Sequence, residues 1–237
     1  MAQRAKLLDT HRFVTTMSSP IIAVAGGTGH LGQALAYRWT QSGLRVLIGS
    51  RTADKAALAA REIGARLQRP LESGSNAEVT ARADIIVVAV PFAAQAEVLE
   101  SIREAAMGKL VVDTTVPLIP PKVMRVQLPA EGCAALRARA LLAPGTKVVS
   151  AFHNVAAHKL ATGDRIDCDV LVFGDEKEER QRVIELCRAA GLRGLHAGGL
   201  ANSAAAEALT SVLIFINRHY AVDGAGIQIS GPQDCPL

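Results

Sequence analysis

The chain has 237 residues, 49% of them apolar but only 3% aromatic, so Ala, Val, Leu and Ile must fill its core. That length suits one α/β domain or a large domain with a small appendage, and the aliphatic core suits a parallel sheet flanked by helices. Twenty-six basic against 22 acidic residues leave a net charge of +4, with no Lys/Arg run interleaved with aromatics; this speaks against a nucleic-acid partner and fits an anionic small molecule.

In chain order, residues 1–19 are basic and polar, without a signal-peptide core, and read as a disordered N-terminal extension with Met17 a candidate start. The apolar run Ile21–Ala25 is a strand that meets Gly27-Thr28-Gly29-His30-Leu31-Gly32, and a helical pattern runs from about Gly29 to Ser42, stopped by Gly43. A second strand spans about Leu44–Gly49, and an alanine-rich helix follows Thr52 to about Leu67. Residues 68–76 read as a loop and 76–82 as a short helix; Asp84–Val90 is the clearest buried parallel strand. Helix follows Pro91-Phe92 to about Ala106, then a strand from Lys109 to Val112. Pro117, Pro120, Pro121 and Pro129 mark 114–130 as an irregular excursion, before a helix at 131–142 and a strand from Thr146 to Phe152. Beyond it, His153–Ala161 reads as helix, Asp169–Phe173 as strand, Glu176–Ala190 as helix, Gly191–His196 as strand and Ser203–Tyr220 as a long helix; 224–229 is a candidate last strand. The alternation predicts a Rossmann-type doubly wound sheet, with residues from 153 onward either extending it or forming a smaller C-terminal α/β part.

The glycines at 27, 29 and 32 stand between a strand and a helix, where a dinucleotide pyrophosphate needs a turn, close backbone approach and a free helix N-terminus. About 20 residues on, where an NAD site carries an acid for the ribose 2′-hydroxyl, this chain has Ser50-Arg51, with Lys55 one helical turn beyond. A hydroxyl, a guanidinium fork and an ammonium bind a 2′-phosphate that a carboxylate repels, so the expected cofactor is NADP(H). Cys133, Cys168, Cys187 and Cys235 form no CxxC and have no His at ligand spacing, so reduced thiols of a cytoplasmic protein are expected and no metal site is read. No apolar run approaches the roughly 20 residues of a membrane span, and no membrane association is expected.

Several blocks together, Gly-Gly-Thr-Gly-His-Leu-Gly, Ile-Gly-Ser-Arg, Ala-Val-Pro-Phe, Asp-Thr-Thr-Val-Pro-Leu, Val-Val-Ser-Ala-Phe-His-Asn-Val and Cys-Asp-Val-Leu-Val-Phe-Gly-Asp, resemble the NADPH-dependent F420 reductases in family order over about 20–230. The resemblance implies an NADP-binding Rossmann domain at 20–152 and a smaller part at 153–237 that completes a site for coenzyme F420, a 5-deazaflavin co-substrate. It implies reversible direct hydride transfer between NADPH and F420, with no side-chain acid or base. Carried over by position, Thr28, Gly29, His30 and Leu31 would wrap the pyrophosphate, with Gly27 and Gly32 shaping the turn. Ser50, Arg51 and Lys55 would hold the 2′-phosphate; Val90, Pro91, Phe92 and Leu118 would line the path to the nicotinamide. Ala157 would sit near that ring, and His153 and Asn154 would help position it. His30 stands where many family members have Asn or Asp, and Asn154-Val155-Ala156 departs from the usual segment. Two other readings remain: an NADP-dependent reductase of a small carbonyl or imine, with His153 or Lys159 as proton donor, and a non-catalytic NADP-sensing module. A homodimer through the C-terminal helix is the expected assembly.

Overall fold

The computed structural model describes residues 19–231, and the N-terminal extension read from the sequence, like Cys235, lies outside them except for Ser19. Strands β1 (Ile21–Ala25), β2 (Arg45–Ser50), β3 (Glu72–Ser75), β4 (Ile85–Val88), β5 (Leu110–Asp113), β6 (Lys147–Ser150), β7 (Asp169–Gly174) and β8 (Arg193–His196) form one sheet. Their order is β3-β2-β1-β4-β5-β6-β7-β8. The first six strands pair in parallel, β7 runs antiparallel to β6, and β8 is parallel to β7. The helices are α1 (His30–Gln41), α2 (Ala53–Leu67), α3 (Asn76–Arg82), α4 (Phe92–Ile102), α5 (Ala134–Leu141), α6 (Ala157–Thr162), α7 (Lys177–Ala189) and α8 (Ser203–Tyr220). The chain order reverses between β1 and β4, which opens a crevice at the carboxyl ends of those strands.

Alternation along β1 sorts its side chains into two layers. Ile22 and Val24 join Leu35, Trp39, Ile48 and Ile63 on one face of the sheet, while Ala25 joins Ile86, Val88, Leu99 and Val111 on the other. The antiparallel β7 and its partner β8 extend the same sheet rather than starting a new one.

Three local expectations are corrected. The segment 68–76 is not all loop, because β3 pairs from Glu72 opposite Leu47 to Ser75 opposite Ser50. Its polar sequence lacks the apolar alternation that marks a strand, and pairing together with the Arg45–Glu72–Arg82 ion cluster supplies what propensity does not. The tail at 224–229 is not a strand. It is strapped to β7 instead, as the Asp169 N–H donates to the Ile227 carbonyl at 2.7 Å and the Ile229 N–H donates to Asp169 Oδ2 at 2.7 Å. Arg193 forks onto the same carboxylate with both bonds at 2.6 Å, which holds the Asp169 carboxyl below its ordinary pKa despite burial. Helix at 153–161 begins only at Ala157, after a turn at His153-Asn154. In addition, the segment Leu200–Tyr220 is long and apolar enough for a membrane span by length and composition alone, which no sequence run indicated. Its buried Glu207 is bonded within the fold, as a core helix of a globular protein allows.

Helix α1 joins the two halves of the chain. Trp39 is fully buried, packs edge-on against Phe152 at 5.9 Å, and donates its indole N–H to the Leu186 carbonyl in α7 at 2.9 Å. Arg38 donates to the carbonyls of Leu160 at 2.7 Å and Asp164 at 2.6 Å, satisfying the C-terminal end of α6. Trp39→Ala is expected to cost about 3–5 kcal/mol of stability, from the cavity and the stranded Leu186 carbonyl, as measured by urea unfolding.

Candidate dinucleotide site

The turn after β1 is built from close contacts. Gly26 has φ +76°, and a Cβ there would meet Val90 Cγ1 at 2.2 Å and the Ala89 carbonyl oxygen at 2.9 Å. The left-handed residue is therefore Gly26, one position before the glycine triplet. Gly27 donates its N–H to the Gly49 carbonyl at 2.9 Å, and a Cβ on Gly32 would lie 2.9 Å from Gly27 Cα, so α1 rests directly on the turn. Gly29 differs, since a Cβ there would come no nearer than 3.6 Å to any neighbour. It is the N-cap of α1 and has no side-chain cap, and the N–H groups of the first turn have no partner within the helix. Open space above an uncapped helix N-terminus fits a pyrophosphate.

A cleft of about 410 Å³ runs from this turn to the end of β2. It brings together Thr28, Gly29, Ser50, Arg51, Lys55, Val90 and Pro91 of the residues read from the sequence. Ser50 is buried, whereas Arg51 and Lys55 are exposed at the rim. Among the described residues, the carboxylate nearest Arg51 is Glu97 on α4, at 3.8 Å with both groups solvated, a contact too loose to neutralise the rim. No acid ends β2, so the lining fits a 2′-phosphate better than a bare ribose. Sequence reasoning missed Thr52, Asn76, Ala94 and Val98 on the same walls. Asn76 was readable only as the residue after Ser75, the cap of a Ser-x-x-Glu box that opens α3.

The other candidates lie apart. His30 and Ala157 line a separate opening of about 390 Å³ on the flank of α1 that faces α2 and α6. Gly27 and Gly32 are buried and Leu31 is half-buried behind the turn. Phe92 opens α4 with its ring 4.7 Å from the Arg137 guanidinium carbon, and Leu118 is half-buried in the loop after β5. His153 and Asn154 are buried and bound into the fold. His153 Nε2 sits 2.7 Å from Ser150 Oγ, and Asn154 Nδ2 donates to the Ala206 carbonyl at 2.9 Å and to Thr210 Oγ1 at 3.1 Å. Phe152, just before them, has φ +66°.

Behind the cleft, the carboxyl ends of β5 and β6 carry a buried polar network. Asp113 accepts from Thr115 Oγ1 at 2.7 Å and from Gln95 Nε2 at 3.0 Å. Burial nevertheless pushes its carboxyl up to about 7, while burial drives His153 down to about 3 and keeps its ring neutral. Ser150 Oγ bridges His153 to Ser203 Oγ at 2.7 Å, and Ser203 donates to Glu207 Oε1 at 2.8 Å. Glu207 also accepts the Ala134 and Ala135 N–H groups at the start of α5, and burial raises its carboxyl above the ordinary value.

A parallel six-strand unit, a crevice at its reversal point and a cationic rim where an acid stands in NAD sites define a Rossmann-type dinucleotide-binding protein. A family model described as NADP oxidoreductase, coenzyme F420-dependent, matches residues 21–117. The F420-dependent NADP reductase of Methanothermobacter thermautotrophicus is 39% identical over 218 residues, covering 88% of this chain and 94% of the relative. That of Methanocaldococcus jannaschii is 35% identical over 219 residues, 88% of this chain and 97% of the relative. The chain belongs to the family of F420-dependent NADP reductases. A crystal structure from Arthrobacter sp. FB24 shares the fold with a TM-score of 0.72 at 22% identity, over 89% of this chain and 99% of that one.

Asp113 has a definite pH signature. Its folded pKa of about 7 lies above the 3.8 of an ordinary aspartate, so the folded state binds more protons between those values. Its contribution to stability is full below pH 4 and is lost as pH rises through 7. The difference in unfolding free energy between wild type and Asp113→Asn is expected to shift against the wild type across that window and to level off above it, as read by urea titrations at several pH values.

Proposed function

We propose that this protein catalyses reversible direct hydride transfer between NADPH and coenzyme F420. The observation that carries the reading is the cleft at the β1/β4 reversal point, where an open Gly29 and the rim of Ser50, Arg51 and Lys55 meet in a chain of this family. When bound, the nicotinamide supplies the hydride and the deazaflavin ring takes it, so the protein's task is orientation and exclusion of water.

In this reading Thr28, Gly29, His30 and Leu31 hold the pyrophosphate with backbone N–H groups, on a turn shaped by Gly27 and Gly32. Ser50, Arg51 and Lys55 hold the 2′-phosphate. Val90, Pro91, Phe92 and Leu118 line the path to the nicotinamide, which in this reading leads past His30 at the start of α1 to Ala157 in the neighbouring opening. His153 and Asn154 position the 152–157 turn against α8 rather than touching the reacting atoms, and residues 153–237 complete the F420 site. Support for the positioning role comes from their bonds to Ser150, Ala206 and Thr210. The same bonds weigh against His153 as proton donor to a carbonyl or imine, since a neutral, 6% exposed ring cannot readily exchange protons with a substrate. Free buried thiols at Cys133, Cys168 and Cys187 favour a reducing compartment, and we place the protein in the cytoplasm. The exposed Val212 and Phe215 on α8 favour pairing of two copies through that helix.

Mixing the protein with NADPH and oxidised F420 is expected to bleach the deazaflavin absorbance. Folded protein that leaves it unchanged across a pH series would overturn the proposal. Arg51→Glu turns a charge-assisted phosphate contact into repulsion and is expected to weaken NADPH use by about 2–4 kcal/mol in kcat/KM. Unchanged affinity for NADPH would remove Arg51 from the 2′-phosphate site.

A further inference from the structure

We propose that Asn76 is a fourth ligand of the 2′-phosphate, donating from its side-chain amino group beside Ser50, Arg51 and Lys55; this rests on the NADP(H) reading above. Asn76 opens α3 at the carboxyl end of β3, and the preceding Ser75 pairs in register with Ser50 of β2. The side chain therefore stands next to the rim that marks the nucleotide's charged end.

The side chain is 4% exposed, yet its burial is only half explained by the fold. Oδ1 accepts the Gly26 N–H at 3.2 Å. An N–H can only donate, so this bond fixes which end of the amide is oxygen. Oδ1 would also lie 2.9 Å from a Cβ on Gly49, so a glycine in β2 makes room for it. The amino end has no hydrogen-bond partner among the described residues, although the residue lines both the main cleft and an adjoining recess shared with Ser50, Arg51 and Glu97.

Helix capping does not account for it. Ser75 caps α3, with Glu78 completing the box, so the Asn76 side chain is free to turn away from the helix. A buried primary amide that satisfies only its oxygen leaves two N–H groups to be met from the cleft. A phosphate offers acceptors and no competing donors, which is the chemistry such a group recognises. With the oxygen end clamped to the glycine turn, the same amide ties the pyrophosphate loop to the 2′-phosphate pocket. It would thereby favour NADP(H) over NAD(H) as well as add affinity.

The test compares binding of NADP+ and NAD+ by calorimetry in wild type, Asn76→Ala and Asn76→Asp, with thermal unfolding of the unliganded proteins as a folding control. Asn76→Asp keeps the acceptor for Gly26 and replaces the donor by a carboxylate that repels a 2′-phosphate. It therefore still reports whether this side chain faces the phosphate if the alanine variant folds poorly, while the alanine variant measures the donor itself. Both variants are expected to weaken NADP+ binding by about tenfold to a hundredfold while leaving NAD+ binding within twofold of wild type. An equal loss for both nucleotides means that Asn76 only braces the Gly26 turn, and overturns the proposal. Unchanged NADP+ binding overturns it too. A wild-type protein that binds no NADP+ overturns the nucleotide reading itself, and this inference with it.

Discussion

The seating of α1 on the end of β1 is the constraint on which the molecule depends. Gly32 brings the helix into backbone contact with Gly27, and no side chain can intervene without moving one of them. That contact aims the helix N-terminus over Gly29 and carries its far end to Arg38 and Trp39. There the helix stops being a local feature, since Arg38 closes α6 and Trp39 reaches the α7 backbone. One helix thus sets both the place of the open turn at Gly29 and the seating of α6 and α7. The solvation cost of burying the Arg38 guanidinium, 7% exposed, is met by backbone carbonyls rather than by a carboxylate.

A second set of buried contacts ties α5 and α8 to the end of β6. Glu207 reaches from α8 to the first N–H groups of α5, and the chain Glu207–Ser203–Ser150–His153 then returns to the end of β6. A carboxyl at a helix N-terminus favours its charged form, and burial opposes it; for Glu207 burial wins. Such bonded buried networks help to fix the arrangement of the elements they join. Here they hold the turn at 152–157 without using any exposed side chain.

Much of this was legible in the residues. Apolar runs of strand length separated by helical periods specified β1, β2, β4 and α1, because buried parallel strands leave an unmistakable hydrophobic signature. At the end of β2 the sequence carries Ser50 and Arg51 where NAD sites carry an acid, and the fold brings both to the cleft. What escaped were features decided by partners distant in sequence. β3 is polar and exists through its pairing with β2; the tail at 224–229 has strand-like alternation but is strapped by Asp169 and Arg193. Asn76 escaped for the same reason, since its hydrogen-bond partner Gly26 lies 50 positions away. The glycine triplet marked the turn after β1, but only the close approach of Val90 shows why the left-handed residue there, Gly26, can carry no side chain.

Phe152 combines two demands that ordinarily exclude one another. Its backbone takes a left-handed conformation, for which glycine is the default and which costs a large side chain about 1–3 kcal/mol. Its ring, 1% exposed, is the edge-on partner of Trp39 and fills the core beneath α1. A glycine would relax the turn and empty the core; a β-branched residue would fit neither. The two positions are therefore coupled in volume, and a substitution at either is expected to be tolerated only where the other ring can absorb it.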